Sequence, residues 1–334
     1  MDPRAGECLL SVLGDPLLSD RLERIAFNAL PATFKPDMWA HQYDQQVNQV
    51  LCSVAERDWS NSPDANIFGL EPNFGCCTAN MHQGWPKFAA SLWMATNDGG
   101  LVVVAYAPCE VSTTIAGTEV TIVEETDYPF GDTVQITVRP AAELKFPLYL
   151  RVPGWAAGAQ VKLPDGQLLD ANAGSYHKIE RLWHPADVIA LTLPAELSVE
   201  RRYNGSVAIN RGPLLFSLKM EEKWQLIGGS PPHGDWEVYP LSAWNYGLVV
   251  DTSLPGQSIK VNSKAPAENS FSPEGAPLSL DVRGRLLPGL KLEGGSAGPI
   301  PHSPTRSTEP LKDLTLLPYG CTNLRMTEFP LLED

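Results

Sequence analysis

The sequence predicts an α+β multidomain protein, in which a helical segment is followed by β-sandwich, jelly-roll-like domains. Helical spacing of apolar residues is confined to the first hundred residues, and short β-branched segments begin after Asp98-Gly99-Gly100. The high content of Pro (30) and Gly (27) favours turns and short strands over long helices. We therefore predict a helical domain at 1–97, a middle β-sandwich at 98–205 and a β-rich domain with long loops at 206–334.

Two helices are predicted in the first domain. Asp15-Pro16 is typical of a helix start, because Asp caps the first turn and Pro fits within it. Apolar residues then recur at helical spacing until Leu30-Pro31 ends the helix. The polar residues Asp20, Arg21, Glu23 and Arg24 fall mostly on the opposite face. A second helix is predicted from about Pro86 to Trp93. The stretch between them, 31–85, has little periodicity and is rich in Asn, Gln, Trp and Tyr, and a loop of that length usually carries function.

The remainder of the chain reads as strands separated by turn residues, at the spacing of a sandwich or jelly roll. From 228 to 309 the sequence is rich in Pro, Gly and Ser, and it is interpreted as long loops on a second β-module. The predicted strands are 101–107, 119–124, 133–139, 147–152, 161–163, 188–193, 206–210, 214–219 and 314–317.

Composition excludes several classes of function. Hydrophobic residues at 43% and charged residues at 19% are typical of a globular protein. The net charge is −14, and both the first 97 residues and the remainder are acidic, so we expect no nucleic-acid partner. No segment approaches the roughly 20 apolar residues of a membrane span, and Met1–Gly6 has no apolar core of a signal peptide. We therefore expect no membrane association and, by default, a cytoplasmic protein; the sequence assigns no oligomeric state.

The most distinctive motif is Phe74-Gly75-Cys76-Cys77-Thr78-Ala79-Asn80-Met81-His82-Gln83-Gly84-Trp85. Six cysteines in 334 residues are too sparse for a disulfide scaffold, and adjacent cysteines bond each other poorly. The pair is either two buried thiols or part of a metal-thiolate site, since zinc takes about four N, S or O ligands. Glu71 and His82 are candidate ligands by proximity, although each residue type is more often solvated or hydrogen-bonded.

Several segments together resemble glycoside hydrolase family 127, the β-L-arabinofuranosidases, formerly a domain family of unknown function (1680). The similarity covers the run from Asp20 to Met94 and returns near the end of the chain. Its carrying segments are Arg21–Ala32, Asp37–Gln46 (DMWAHQYDQQ), the cysteine motif extended through Phe88, and Pro318-Tyr319-Gly320-Cys321-Thr322-Asn323-Leu324-Arg325.

The resemblance implies an (α/α)6 catalytic barrel, of which 1–97 would be the C-terminal part, followed by β-sandwich domains. It further implies a retaining hydrolase of non-reducing terminal L-arabinofuranosides, with an L-arabinofuranosyl-containing glycan as substrate. By position, Cys76 would be the nucleophile and a zinc ligand, Cys77 a zinc ligand, and Tyr43 a site tyrosine. A zinc-held thiolate would replace the usual carboxylate nucleophile of a retaining glycosidase.

The resemblance also implies that the sequence is truncated at its N-terminus. The family completes its zinc site with a Glu-x-Cys pair and uses a Glu as acid/base, and both match positions before Met1. Glu7-Cys8 has the wrong spacing to replace the pair. We therefore expect zinc binding by this chain to be doubtful, and the chain alone to be inactive.

Two other interpretations stay open. The chain could be a non-catalytic, carbohydrate- or partner-binding β-sandwich remnant, with tryptophans stacking on sugars; such residues more often fill sandwich cores. Alternatively, the thiols could belong to a structural zinc site. The tryptophans concerned are Trp155, Trp183, Trp224, Trp236 and Trp244.

Overall fold

The computed structural model describes residues 9–333, apart from the side chain of Asn80. It is mostly β, with short helices near the start of the chain. The coarse prediction of helices followed by β-structure is therefore confirmed. The helical segments are residues 9–13, Pro16–Arg24, a π-helical turn at Ile25–Ala29, Leu30–Ala32, Gly75–Met81 and Gly84–Ala90.

The expected part of an (α/α)6 barrel is not present within residues 9–333. The segments assigned to it belong instead to two compact units, each built mainly of strands. Residues 9–26 and 83–196 form unit 1, and residues 27–82 and 197–333 form unit 2. The buried apolar residues of the helical stretch, Leu22, Ala26, Phe27 and Leu30, therefore lie in units built mainly of strands, and not in a ring of helix pairs. The domain boundaries at 97/98 and 205/206 stay predictions, because a unit defined by compactness need not coincide with an inherited domain.

Unit 1 contains two sheets. One has the order β1-β2-β6-β9, with β2 and β6 parallel, and the other has the antiparallel order β3-β4-β5-β10-β7-β8. Buried and exposed positions alternate along much of β4 and β5, as expected for strands with one face in a core. The strands are β1 Trp93–Ala95, β2 Leu101–Val103, β3 Cys109–Ile115, β4 Thr118–Thr126, β5 Thr133–Pro140, β6 Leu144–Val152, β7 Gln160–Lys162, β8 Leu168–Asp170, β9 Ser175–Trp183 and β10 Asp187–Thr192.

The first helix begins where the sequence predicts. Asp15 accepts a hydrogen bond from the Leu17 amide at 2.9 Å, and Pro16 occupies the first turn. The predicted polar face is wrong at Glu23, which is fully buried and forms an ion pair with Arg151 on β6. Tyr128 also donates to Glu23, at 2.5 Å. A buried carboxylate needs such partners, so this cluster fixes the helix against the sheet.

Unit 2 is built around a sheet of order β11-β12-β13-β21-β18-β16, with β17 paired to β18, and two separate hairpins, β14-β15 and β19-β20. The strands are β11 Leu197–Arg201, β12 Val207–Arg211, β13 Leu214–Leu218, β14 Glu222–Ser230, β15 His233–Pro240, β16 Tyr246–Val249, β17 Lys260–Ser263, β18 Leu278–Leu286, β19 Leu292–Glu293, β20 Ser296–Ala297 and β21 Lys312–Pro318. Single turns of 3-10 helix lie at Tyr203–Gly205, Pro255–Gln257 and Tyr319–Cys321.

Strands β14 to β20 interrupt the stretch 228–309, which the sequence indicated as long loops on a second β-module, and the backbone between them, such as 264–277 and 298–311, lies outside strands. The predicted loop 31–85 is closer to the structure. It contains the unpredicted helix Gly75–Met81 and otherwise follows irregular backbone, which pairs with β15 through Cys52 and Phe68. This loop therefore belongs to the core of unit 2.

No helix within the described part of the chain is long and apolar enough to cross a membrane.

Candidate functional site

The loop of unit 2 places Tyr43 by backbone hydrogen bonds. The amides of Tyr43 and Asp44 both donate to the Ala65 carbonyl, at 3.1 and 2.8 Å. Asn61 donates through its side chain to the Tyr43 hydroxyl at 3.1 Å, and its amide donates to Asp44 Oδ2 at 2.9 Å. The Tyr43 hydroxyl is therefore held in place by Asn61, which lies further along the same loop.

The helix Gly75–Met81 presents the two thiols beside that hydroxyl. Cys76 is exposed and Cys77 is half-buried, and their Sγ atoms are 3.7 Å apart. The Tyr43 hydroxyl lies 3.7 Å from Cys77 Sγ, and the Phe74 ring meets the Tyr43 ring edge to face at a centroid distance of 5.9 Å. The structure thus brings together Tyr43, Cys76 and Cys77, the three residues that the resemblance nominated, while their chemical roles stay predictions.

This arrangement keeps the Cys76 thiol and the Tyr43 phenol protonated at neutral pH. The hydrogen bond between Cys76 and Cys77 raises the pKa of Cys76. The separate hydrogen bond between Tyr43 and Cys77 raises the pKa of Tyr43. A thiol whose pKa lies above its usual range supplies little thiolate at pH 7. Nucleophilic use of Cys76 would therefore require a cation near the sulfur.

The separation of the two sulfurs fits two corners of a zinc site. With Zn–S bonds of about 2.3 Å and tetrahedral angles, two thiolate ligands lie about 3.8 Å apart. The observed separation is 3.7 Å. Over residues 9–333, however, no group of three or more His, Cys, Asp and Glu side chains could hold a metal ion. The two thiols therefore fit two of the four positions of a tetrahedral zinc site.

The other proposed ligands have different surroundings. The Glu71 carboxylate lies against Gly75, so closely that a Cβ at Gly75 would stand 1.8 Å from its Oε1. The ring of His82 faces that of His41 at a centroid distance of 6.4 Å. Glu7 and Cys8 lie outside the described residues.

The sequence did not single out His41 or the buried amides next to Tyr43. Burial lowers the pKa of His41, whose Nδ1 lies 3.2 Å from the Gln42 carbonyl oxygen. The Gln42 side chain donates to the Asn66 carbonyl at 2.6 Å, and that of Gln49 donates to Gln42 Oε1 at 2.9 Å. The richness of 31–85 in Asn and Gln was the one feature that could have indicated this network, because periodicity carries no information about buried amides.

The candidate tryptophans divide between core and partial exposure. Trp183 is fully buried and donates to the Phe146 carbonyl at 2.9 Å, which confirms the core interpretation for this residue. The other four are half-buried. Trp236 and Trp224 on the β14-β15 hairpin lie 5.2 and 5.7 Å from Lys35 Nζ, at the distance of cation–π contacts. Their faces are thus partly occupied by the protein itself.

Comparison with known proteins places the chain in a family context. Residues 100–195 match the model of the GH127 β-L-arabinofuranosidase middle domain. This range lies inside the predicted middle domain, 98–205. No curated protein is similar enough in sequence to count as a match.

Solved structures match almost the whole chain in fold. A glycoside hydrolase matches with a TM-score of 0.70 and 19% identity, over 97% of this chain and 50% of its own. A GH127 β-L-arabinofuranosidase from Geobacillus stearothermophilus T6 matches with a TM-score of 0.65 and 20% identity, over 97% and 47%. A GH127 β-arabinofuranosidase matches with a TM-score of 0.67 and 18% identity, over 99% and 48%.

The chain therefore spans about half the length of the solved structures that it matches. At these identities the structural matches show the fold alone, and the similarity in sequence is confined to the stretch that the family model matches. Residues 100–195 are thus similar in sequence to the GH127 β-L-arabinofuranosidase middle domain, and almost the whole chain is similar in fold to GH127 enzymes.

Proposed function

We propose that this chain carries the thiol-bearing part of a retaining glycoside hydrolase site that acts on non-reducing terminal L-arabinofuranosides. The observation that carries the proposal is the contact chain from the Tyr43 hydroxyl to Cys77 Sγ and on to Cys76 Sγ, with 3.7 Å for each step. The GH127 middle domain at 100–195 supports the substrate class.

In the proposed reaction, the exposed sulfur of Cys76 attacks the anomeric carbon. A C–S bond forms as the glycosidic C–O bond breaks, and the leaving oxygen takes a proton from a carboxylic acid. Water then displaces the sulfur, and two inversions at one carbon give net retention. The family resemblance matches no residue of this sequence to that acid. We therefore expect the polypeptide of this sequence to bind the sugar without completing turnover.

The protein's part in the first step is to present the sulfur and control its protonation. Tyr43 lies on the Cys77 side of the thiol pair, where its hydroxyl accepts from the Cys77 thiol and would donate instead if that thiol were deprotonated. Cys76 and Cys77 would hold a zinc ion as two of its ligands, and bound zinc would keep the nucleophilic thiol deprotonated at neutral pH. Without such a cation, the raised pKa of Cys76 leaves it a weak nucleophile.

The proposal is tested by labelling with an epoxide of a cyclitol that has the L-arabinofuranose configuration, using its D enantiomer as the control. We expect the L reagent to alkylate Cys76 at least several-fold faster than the D reagent, as read by peptide mass spectrometry. C77S reports whether the neighbouring thiol is needed, and C76S should abolish the adduct. Equal rates for the two enantiomers would remove the basis for sugar recognition at Cys76.

A parallel assay measures turnover and metal content. We expect no release of arabinose from β-L-arabinofuranosides by the purified chain. Elemental analysis of the chain beside C76S measures whether zinc is bound through the thiol pair. Arabinose release that persists in C76S would show that another residue is the nucleophile.

A second candidate function is non-catalytic carbohydrate or partner binding by the β-rich units. It is favoured by the extent of the family match, which covers a β-domain that contains neither Tyr43 nor the thiols. This candidate predicts glycan binding that is unchanged in C76S, together with no enantioselective labelling of Cys76. The same experiments therefore separate the two candidates.

A further inference from the structure

The C-terminal motif Pro318–Arg325 has no part in the chemistry described above, although it is one of the segments that resemble the family. It follows β21 directly and ends in Arg325, whose side chain is fully buried. Burying a guanidinium is costly unless its N–H groups find acceptors. Its partners therefore indicate what the motif does.

Arg325 joins three segments of unit 2. Its NH1 donates to Gln45 Oε1 at 2.9 Å and to the Tyr319 hydroxyl at 3.0 Å. Its NH2 donates to the backbone carbonyls of Thr322 and Ala32, at 2.8 and 3.2 Å. None of these hydrogen-bond partners is a carboxylate, so the charge is compensated by dipoles aimed at it, together with the electrostatic attraction of the Glu222 carboxylate. Such an arrangement depends on geometry, because each acceptor contributes only when it is aligned.

Gln45 is the point at which the motif reaches the candidate site. Its Oε1 accepts from Arg325 and, at 3.0 Å, from the Tyr319 hydroxyl, while its Nε2 donates to the Ala29 carbonyl and to Thr33 Oγ1, both at 2.9 Å. The side chain is thus fixed at both ends, two residues from Tyr43.

A second link holds the same loop further along. The Arg325 amide donates to the Gln49 carbonyl at 2.8 Å, and the Gln49 side chain donates to the Asn323 carbonyl at 2.8 Å. Gly320 lets the motif also lie close to the helical turn before the loop, because a Cβ at that position would lie 2.8 Å from the Phe27 carbonyl oxygen and 2.7 Å from Pro31 Cγ. The motif is therefore hydrogen-bonded at two points, Gln45 and Gln49, to the loop that carries Tyr43.

We propose that Arg325 is a positioning residue for Tyr43, acting through Gln45, and that it thereby sets the contact between the Tyr43 hydroxyl and Cys77. This inference rests on the proposed function for its catalytic meaning. Its structural content, the control of the Tyr43 ring by a residue 282 positions away in sequence, is measurable without turnover.

The first measurement is fluorine NMR of a 3-fluorotyrosine placed at position 43. A second label at Tyr203, which is 72% exposed, reports global effects. We expect R325M to shift or broaden the Tyr43 resonance and to leave the Tyr203 resonance in place. R325K, which keeps the charge and loses the planar fork, should give an intermediate change. R285K is the matched control, since Arg285 donates to the Glu309 carbonyl, outside this network.

Y319F is a second, milder variant that tests the same network should R325M not fold. It removes one hydroxyl, which shares its hydrogen between Gln45 Oε1 and the Gln46 carbonyl at 3.0 and 3.3 Å and accepts from Arg325 NH1 at 3.0 Å, while the Arg325 side chain itself is kept. We expect a smaller change of the same resonance. An unmoved Tyr43 resonance in folded R325M, or in folded Y319F should R325M not fold, would overturn the proposal.

The functional arm uses the enantioselective labelling of Cys76. If Arg325 acts through Tyr43, R325M and Y43F should each slow L-reagent labelling about tenfold, and the double variant should also be slowed about tenfold, not hundredfold. Additive effects would assign Arg325 a separate role and overturn the inference. A different outcome would separate the two proposals: the wild-type chain could label Cys76 at equal rates with the L and D reagents, while R325M still shifts the Tyr43 resonance. That result would refute the proposed function and would still support the positioning role of Arg325.

Discussion

The buried carboxyl of Glu124 predicts that unit 1 loses stability as the pH rises. Glu124 is 2% exposed; it accepts from the Ala107 amide at 2.9 Å and from Trp93 Nε1 at 3.1 Å. Burial outweighs these hydrogen bonds and raises its pKa from the ordinary 4.5 to about 8. The perturbation that tests this is E124Q, which keeps the shape of the side chain and removes the titration.

The sign follows from proton binding. Between pH 4.5 and about 8 the folded chain holds a proton on Glu124 that the unfolded chain releases, so raising the pH favours unfolding. At about 1.36 kcal/mol per pKa unit, the full effect above pH 8 is about 5 kcal/mol. From pH 5.5 to pH 8.5 the same linkage amounts to about 3 kcal/mol.

The assay is urea unfolding at pH 5.5 and pH 8.5, followed by tryptophan fluorescence. Stability differences between the two pH values are compared for the wild type, E124Q and E125Q, because Glu125 is the adjacent, exposed residue. E124Q places an amide N–H₂ opposite one of the two donors and is expected to lower stability at both pH values by about 1–3 kcal/mol, so the pH difference is the informative quantity. A loss between pH 5.5 and 8.5 that is as large in E124Q as in the wild type would refute the reasoning.

Three further variants test the packing inside unit 1 and inside unit 2, and their stability is measured by urea unfolding. R151M leaves the fully buried Glu23 carboxyl, whose pKa burial already raises, without its ion-pair partner, so we expect a loss of about 3–5 kcal/mol; a change below about 1 kcal/mol would mean that the carboxyl takes up a proton in the folded chain at little cost. G320A brings a Cβ within 2.8 Å of the Phe27 carbonyl oxygen and should cost about 1–3 kcal/mol, whereas G256A, with open space around its Cβ, should cost much less. W183F vacates part of the core and leaves the Phe146 carbonyl without its donor, so we expect a loss of about 2–4 kcal/mol; near-neutrality would show that the site collapses around the smaller ring.

The sequence predicted those elements whose formation depends on residues adjacent to one another along the chain. The helix start at Asp15-Pro16 follows from a cap and a ring constraint, both of which involve adjacent residues. Apolar, β-branched runs gave strands such as β5 and β10. β3 was missed because all of its positions are at least partly exposed, so it has no apolar run to detect. β14 and β15 were missed because the Gly and Pro residues around their turn resemble a loop.

The candidate site was predictable only where a motif was specific. Tyr43, Cys76 and Cys77 came from resemblance, and their proximity is a property of the fold. Glu23 was placed on the helix face opposite the apolar residues, because helical periodicity cannot anticipate a buried arginine on a distant strand. Arg325 and Gln45 are 280 positions apart, and no pattern in either segment predicts that the two side chains form a hydrogen bond. Pairings of that range are decided by the packing of the whole unit.

The division of unit 2 into residues 27–82 and 197–333 has a consequence in time. At a synthesis rate of about 5–20 residues per second, the ribosome needs about 12–50 seconds to travel from the thiols to Arg325. Throughout that interval the loop that bears Tyr43 exists without the strands and the C-terminal motif that hold it. The candidate site can therefore take up the arrangement described above only after that interval, although both thiols and Tyr43 have been made before it begins.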